Sequence, residues 1–343
     1  MGQEIRRIGI VGGGAWGTTL SLVARRAGRQ VLIWVREPEV AAAINESHEN
    51  PVFLPAVTLP SEVRATTELE AVADADAVLL VTPAQFLRQV AAELAPSLKV
   101  GTPAVICAKG IELGTGALMS EVVAEVLPGA PMAVLSGPTL AVEVARGLPT
   151  AVTLACADTD LGSRVVEALG NPRFRIYLSQ DLVGAQIGGA VKNVLAIAIC
   201  IAYGRELGEN ARAALMTRGM VEMVRLGLAM GSKAGTMMGL SGLGDLALTC
   251  SSDQSRNASL GLALGRGRSL ADVLAGRREV TEGVTTSAAV MELARRHGVE
   301  MPISEAVDRI LNHGADIDAT IEDLLARPLK VEVPELGMLE LLE

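Results

Sequence analysis

Aromatic side chains are scarce in this 343-residue chain, which has two Trp, two Tyr and three Phe. Its core must therefore be built from Ala, Val, Leu and Ile, and an apolar content of 50% supplies them. Cysteine is sparse as well. Cys107, Cys156, Cys200 and Cys250 stand far apart with no C-x-x-C pair. That spacing is neither a disulfide framework nor a zinc site, and it suits a reducing cytosol. Basic charge is lacking: the net charge of −9 argues against a general nucleic-acid binder, while leaving room for a small basic pocket around an anionic metabolite. His48, His297 and His313 fall outside every motif, so no histidine general base is expected. No cluster of His, Cys and carboxylates has ligand spacing, and no metal is expected. The absence of a G-x-S-x-G elbow excludes a serine hydrolase of that type. The opening MGQEIRRIGIVGGG runs straight into a strand without a signal-peptide core, and no apolar run approaches the roughly 20 residues of a membrane span. A cytoplasmic chain with no membrane span is the expectation.

At about 150 residues per domain, the length suggests two domains. Short continuous apolar runs at 7–12, 31–35, 77–82, 103–109, 132–138 and 150–155 read as strands. Helical patterns fall between several of them, as at 16–28 and 85–98. Such alternation predicts a mostly parallel sheet covered on both faces. From about residue 181 the strand pattern stops, and 182–203, 210–230, 258–275, 284–297 and 303–313 read as helices. The expected domains are an α/β one over 1–187 and an all-α one over 188–343.

The first strand ends in Gly12-Gly13-Gly14-Ala15-Trp16-Gly17, a G-x-G-x-x-G that opens a helix. Gly12 permits the tight turn, Gly14 lets a pyrophosphate approach the backbone, and Gly17 allows close helix–strand packing. The helix N-terminus then offers N–H donors to phosphates. The motif counts because of that strand–turn–helix context. Gly12, Gly14, Ala15, Trp16 and Gly17 are the candidate cofactor contacts in a Rossmann dinucleotide site. At the end of the second strand, Arg36 favours the 2′-phosphate of NADP, while Glu37 beside it keeps NAD open. NADPH is the preferred cofactor, with NADH as the alternative.

A nicotinamide cofactor exchanges hydride with a carbon centre, and where that carbon bears oxygen a group that gives or takes a proton is needed beside it. Lys192 stands in GGAVKNVLAIAIC, followed by seven residues with no charge or side-chain amide after Asn193. A lysine so placed can act when burial and nearby cations lower its pKa toward neutrality; the plainer reading is a lysine whose head reaches solvent. Lys109 lies at the end of the fourth strand, on the carboxyl edge where open α/β sheets bind ligands. Ser255-Arg256-Asn257 precede an apolar helical run, so a phosphate there would meet helix-terminal N–H groups and a guanidinium. Ser255 could equally be a simple N-cap. Asp245, in GLGDL, could accept from substrate hydroxyls or orient Lys192.

The blocks GGGAWGT, CAKGIE, LSGPTLAVEVARGLPTAV, GGAVKNVLAIA, GLGDLALTCSSDQSRN and EGVTTS together resemble the NAD(P)-dependent glycerol-3-phosphate dehydrogenases of the bacterial type, in order, from about residue 7 to 315. The resemblance implies a Rossmann domain followed by an all-helical domain of the 6-phosphogluconate dehydrogenase-like type. It implies reduction of dihydroxyacetone phosphate to sn-glycerol 3-phosphate for glycerophospholipid synthesis, with Lys192 as proton donor and acceptor. It assigns Lys109 to substrate and cofactor, and Gly137, Thr139 and Ala141 to the loop that contacts both. Many family members carry serine at the position of Thr139. It assigns Asp245, Ser255, Arg256 and Asn257 to the substrate, with Arg256, Val280 and Glu282 also on the cofactor, and it suggests a homodimer. Two alternatives stay open: a related β-hydroxyacid dehydrogenase, and a non-catalytic dinucleotide sensor.

Overall fold

A computed structural model of the chain describes residues 4–252, 254–275 and 281–328. Strand β1 (Arg7–Val11) leads through the glycine turn into α1 (Ala15–Arg26), followed by β2 (Gln30–Trp34) and α2 (Pro38–Glu46). A hairpin of β3 (Glu49–Asn50) and β4 (Leu54–Thr58) comes next, then β5 (Arg64–Thr66), β6 (Ala77–Leu80) and α3 (Ala84–Leu94). The alternation continues through β7 (Ala104–Ile106), α4 (Met119–Val126), β8 (Met132–Ser136), α5 (Ala141–Ala145), β9 (Thr150–Ala155), α6 (Thr159–Leu169) and β10 (Phe174–Ser179). Eight strands form one sheet in the order β10-β9-β8-β7-β6-β1-β2-β5. Every neighbouring pair is parallel except β8 and β9, so the sheet is mostly parallel as the alternation predicts.

The strand order reverses between β1 and β6, the point where an open α/β sheet splays a crevice at its carboxyl edge. Four strands, β3, β4, β5 and β10, escape the run-of-apolar reading. β5 is only three residues long, and the β3–β4 hairpin carries two charged or amide residues in β3. β10 is an edge strand with Tyr177 and Leu178 half exposed, so it lacks a continuous apolar signature.

No strand follows Ser179 among the described residues. The second compact unit begins at Val183 and also takes in Gly110–Gly116, a stretch the sequence reading left in the first domain. Its helices are α7 (Leu182–Gly204), α8 (Gly208–Ala229), α9 (Ala234–Met237), α10 (Asp245–Ser251), α11 (Arg256–Gly265), α12 (Leu270–Ala275), α13 (Glu282–Arg296), α14 (Pro302–His313) and α15 (Ile317–Leu325). A π-helical turn, Leu240–Gly244, joins α9 to α10. The single helix expected over 258–275 is two, because Gly267 takes a left-handed φ of 86° and stops the first.

α7 corrects the run-length reading of the sequence. At 23 residues it is long and apolar enough to cross a membrane by composition, and 94% of its apolar window is buried inside the fold. It is the core helix of its unit. Glycines let neighbours reach its backbone: a Cβ on Gly261 of α11 would lie 2.5 Å from the Ile197 carbonyl oxygen, and one on Gly265 would lie 2.4 Å from that of Ile201. The start of α14 is capped from α8. The Glu222 carboxylate accepts from the Ile303 N–H at 2.6 Å, the Ser304 N–H at 3.1 Å and the Ser304 hydroxyl at 2.9 Å. Burial nonetheless pushes the Glu222 carboxyl up to about 7, against the pull of those three donors.

Candidate active site

In the first unit the glycine turn sits at the sheet's switch point. Gly12 has φ 123°, and a Cβ there would lie 3.0 Å from the Val81 backbone just past β6. A Cβ on Gly17 would lie 1.8 Å from the Gly12 carbonyl oxygen, a contact only glycine permits. Gly14 is the opposite case: its Cβ direction meets nothing within 4 Å. The turn is thus tight on its protein side and open at Gly14. No acidic residue stands in the first turn of α1 to oppose an anion there, and Arg25 and Arg26 occupy its last turn. Those features fit a pyrophosphate. Ala15 and Trp16 begin the helix, and the Trp16 ring packs on Phe174 with centroids 6.5 Å apart. Arg36 is 77% exposed at its side chain and donates to Glu37 Oε1 at 3.1 and 3.3 Å. Such an exposed pair is worth under about 1 kcal/mol, so the guanidinium is easily redirected to another anion.

Lys109, Gly137 and Thr139 come together. Lys109 Nζ donates to the Gly137 carbonyl at 3.0 Å, and Thr139 Oγ1 donates to the same oxygen at 3.4 Å. Gly137 is needed because a Cβ there would lie 2.9 Å from Val152 Cα. The short helix α5 that follows is clamped to α1 at two points. Thr19 Oγ1 donates to the Ala141 carbonyl at 3.0 Å, and Arg26 donates to the Val144 carbonyl at 2.7 Å and to that of Ala145. Cys107, two residues before Lys109, is buried, and burial pushes its thiol up to about 12, which disfavours the thiolate.

In the second unit Lys192 is 8% exposed and its head does not reach solvent. Nζ donates to Asp245 Oδ1 at 2.9 Å and to Thr249 Oγ1 at 2.9 Å. Asp245 is 1% exposed, and Thr249 donates to it at 3.4 Å from one helical turn along α10. A charged group meeting Lys192 inside this unit is therefore a carboxylate, that of the Asp245 named from sequence as able to orient it. Close backbone approach builds the arrangement. The π-turn closes with the Gly244 N–H on the Gly239 carbonyl at 3.0 Å. A Cβ on Gly188 of α7 would lie 2.6 Å from the Ser241 carbonyl oxygen, so α7 and the turn touch backbone to backbone.

A second network lies beside it. Asn257 Nδ2 donates to Asn193 Oδ1 at 2.8 Å, and Asn257 Oδ1 accepts from the Gly283 N–H at 3.0 Å. Ser255 is the N-cap of α11, its hydroxyl accepting from the Ala258 N–H at 3.2 Å, and Arg256 is exposed at the first position of that helix. Glu282 opens α13. Val280 lies outside the described residues. The sequence reading missed Thr249 and gave Asn193 no role. Thr249 was within reach, since four residues after Asp245 on a helix put both on one face.

The matches to known proteins follow the same division. Residues 7–162 match the N-terminus of NAD-dependent glycerol-3-phosphate dehydrogenase, and residues 181–322 match its C-terminus. The chain belongs to the NAD-dependent glycerol-3-phosphate dehydrogenase family. It is 58% identical over 333 residues to glycerol-3-phosphate dehydrogenase [NAD(P)+] of Rhodospirillum rubrum, covering 97% of this chain and 95% of that one. It is 55% identical over 327 residues to the same-named protein of Parvibaculum lavamentivorans, covering 95% and 98%. A crystal structure of glycerol-3-phosphate dehydrogenase from Coxiella burnetii superposes with a TM-score of 0.90 at 40% identity, covering 94% of this chain and 99% of that one. Family membership favours the first of the three readings over the hydroxyacid dehydrogenase and the sensor.

Proposed function

We propose that this chain reduces dihydroxyacetone phosphate to sn-glycerol 3-phosphate, reversibly, with NADPH or NADH, and that Lys192 is its proton donor. The observation that carries the role of Lys192 is its buried ammonium, held by Asp245 and Thr249. A nicotinamide held by the first unit's glycine turn would supply the hydride for the ketone carbon. The oxygen then needs a proton, and Lys192 provides it. Asp245 orients the ammonium and compensates its charge in a buried setting, and Thr249 fixes a second of its three N–H directions. Arg256, at the start of α11, offers a guanidinium and helix-terminal N–H groups to the substrate phosphate. The residues of the first unit that fit the dinucleotide are Gly12, Gly14 and Gly17 of the turn, with Ala15 and Trp16 at the head of α1 and Ala141 at the head of the clamped α5. Lys109 and Thr139 stand at the loop's Gly137, where an ammonium and a hydroxyl converge. The exposed Arg36 supports a preference for NADPH.

Family resemblance supports the remaining assignments: Val280 and Glu282 to the cofactor, a cytoplasmic homodimer, and a product that feeds glycerophospholipid synthesis. Light scattering on the purified protein checks the dimer against the chain mass of 35.6 kDa. The deciding experiment follows NADPH absorbance with dihydroxyacetone phosphate, and runs 6-phosphogluconate with NADP in parallel. Oxidation of NADPH with the triose phosphate alone is expected. Turnover only with 6-phosphogluconate would sink the reading.

A further inference from the structure

The β3–β4 hairpin lies between α2 and β5 and has no role in the reading above. It places one amide where the cofactor turn needs support. Asn50 is 0% exposed, and its Nδ2 donates to the Gly13 carbonyl at 2.8 Å and to Thr18 Oγ1 at 2.8 Å. Thr18, also 0% exposed, donates its own hydroxyl to the Gly13 carbonyl at 3.2 Å. Asn50 Oδ1 accepts from the Phe53 N–H at 3.1 Å, which fixes the carboxamide's orientation from within the hairpin. The hairpin register is irregular between Glu49 and Asn50, and such a bulge re-aims a side chain out of the ordinary alternation. A buried triangle of amide, hydroxyl and carbonyl results.

The triangle acts on the peptide between Gly13 and Gly14. A trans peptide is planar, with its C=O and N–H pointing opposite ways. Anchoring the Gly13 carbonyl toward Asn50 and Thr18 therefore turns the Gly14 N–H away from the protein interior. Gly14 is the exposed residue of the turn, with nothing in its Cβ direction. A glycine-rich turn left to itself would sample many peptide orientations. We infer that Asn50, with Thr18, is a positioning residue for the dinucleotide pyrophosphate, and that the hairpin is a splint holding the glycine turn in its anion-accepting orientation. This rests on the reading of the turn as the dinucleotide site.

The test measures NADPH and NADH dissociation constants by fluorescence titration on the full-length protein, with thermal melts alongside and KM for dihydroxyacetone phosphate as the comparison. Asn50→Asp keeps the acceptor for Phe53 but removes both N–H donors, and should weaken NADPH binding about ten-fold or more, as for loss of a buried hydrogen-bond partner. Thr18→Val removes the hydroxyl at nearly constant volume and should weaken it several-fold, with Thr18→Ser restoring it. KM for the triose phosphate, measured at saturating NADPH, should stay within two-fold in both. If Asn50→Asp does not fold, the Val and Ser pair at Thr18 carries the test. Folded variants that bind NADPH as the parent does would overturn the splint alone. A parent protein that binds neither dinucleotide would overturn the site reading and the splint together.

Discussion

The two units hold their ligand-directed groups by different means. In the first, the groups proposed to meet the cofactor are mostly backbone: N–H groups of a glycine turn and a helix start, with side chains such as Asn50, Thr18, Thr19 and Arg26 set behind them. In the second, the groups are side chains buried among helices, Lys192 with Asp245 and Thr249, and Asn193 with Asn257. A backbone site depends on where a Cβ is forbidden. A side-chain site depends on each partner's charge and donors, because an unpaired group in a dry interior costs far more than one at the surface. The first should break through shape, and the second through chemistry at nearly constant shape.

The largest effect is expected where chemistry fails. Lys192→Ala should lower kcat by at least about 10²- to 10⁴-fold, the usual worth of a positioned general acid, while NADPH binding stays within a few-fold. It also removes the ion-pair partner of Asp245, and should cost about 3 kcal/mol or more in denaturant unfolding. Stopped-flow turnover and urea melts on one preparation separate the two. Survival of turnover would remove Lys192 from the mechanism. Shape failure comes next. Gly17→Ala should abolish dinucleotide binding and lower the melting temperature, because its methyl meets the Gly12 carbonyl oxygen at 1.8 Å. Gly14→Ala leaves the fold intact, since its methyl meets no protein atom, and calorimetry should show an unchanged melt with weaker NADPH binding. Equal melts for both would show that the turn is not packed as described. Arg36→Ala sharpens the contrast within the first unit, since here a side chain acts. It should weaken NADPH by about ten-fold, within the range for a charge-assisted hydrogen bond, and leave NADH within two-fold.

The smallest effect concerns the cap of α14. Burial lifts the Glu222 carboxyl to about 7 in the folded protein, above the 4.5 of a free glutamate side chain. The folded state therefore holds a proton that the unfolded state has released between those two values. Its stabilising contribution is full below about 4.5 and is lost as the pH rises through about 7. Thermal melts from pH 5 to pH 8 should fall in the parent and flatten in Glu222→Gln. A parent curve rising over that window would contradict the shift.

Legibility followed the same divide. The glycine turn, the sheet alternation and the all-helical second half could be read because each follows a short-range pattern: a strand ending in glycine, a four- to six-residue apolar run, a 3.6-residue period. Lys192 drew notice as a cation in an apolar helix and Asp245 as a residue that could orient it, while Thr249 was passed over. Asp245 and Thr249 lie 53 and 57 residues away, so no local spacing announces either contact, and Asp245 was reached only through its GLGDL block. Asn50 was invisible for the same reason, since in HENPVFLP it reads as an ordinary turn residue before proline. β10 hid because an edge strand with half its side chains in water has no apolar run to show.

The contacts of α7 with its neighbours carry a consequence for how this protein can change over time. At Gly188, Gly261, Gly265 and Gly283, another chain segment lies so near that a single methyl would fall within 2.7 Å of a neighbouring atom. In a saturation-mutagenesis screen these four positions should stand out as columns where every substitution is depleted, alanine included. The charged face of α15 should tolerate almost anything. Lys192 then sits in a part of the molecule whose neutral drift is nearly frozen, and descendants of this chain would vary around that helix long before they varied along it.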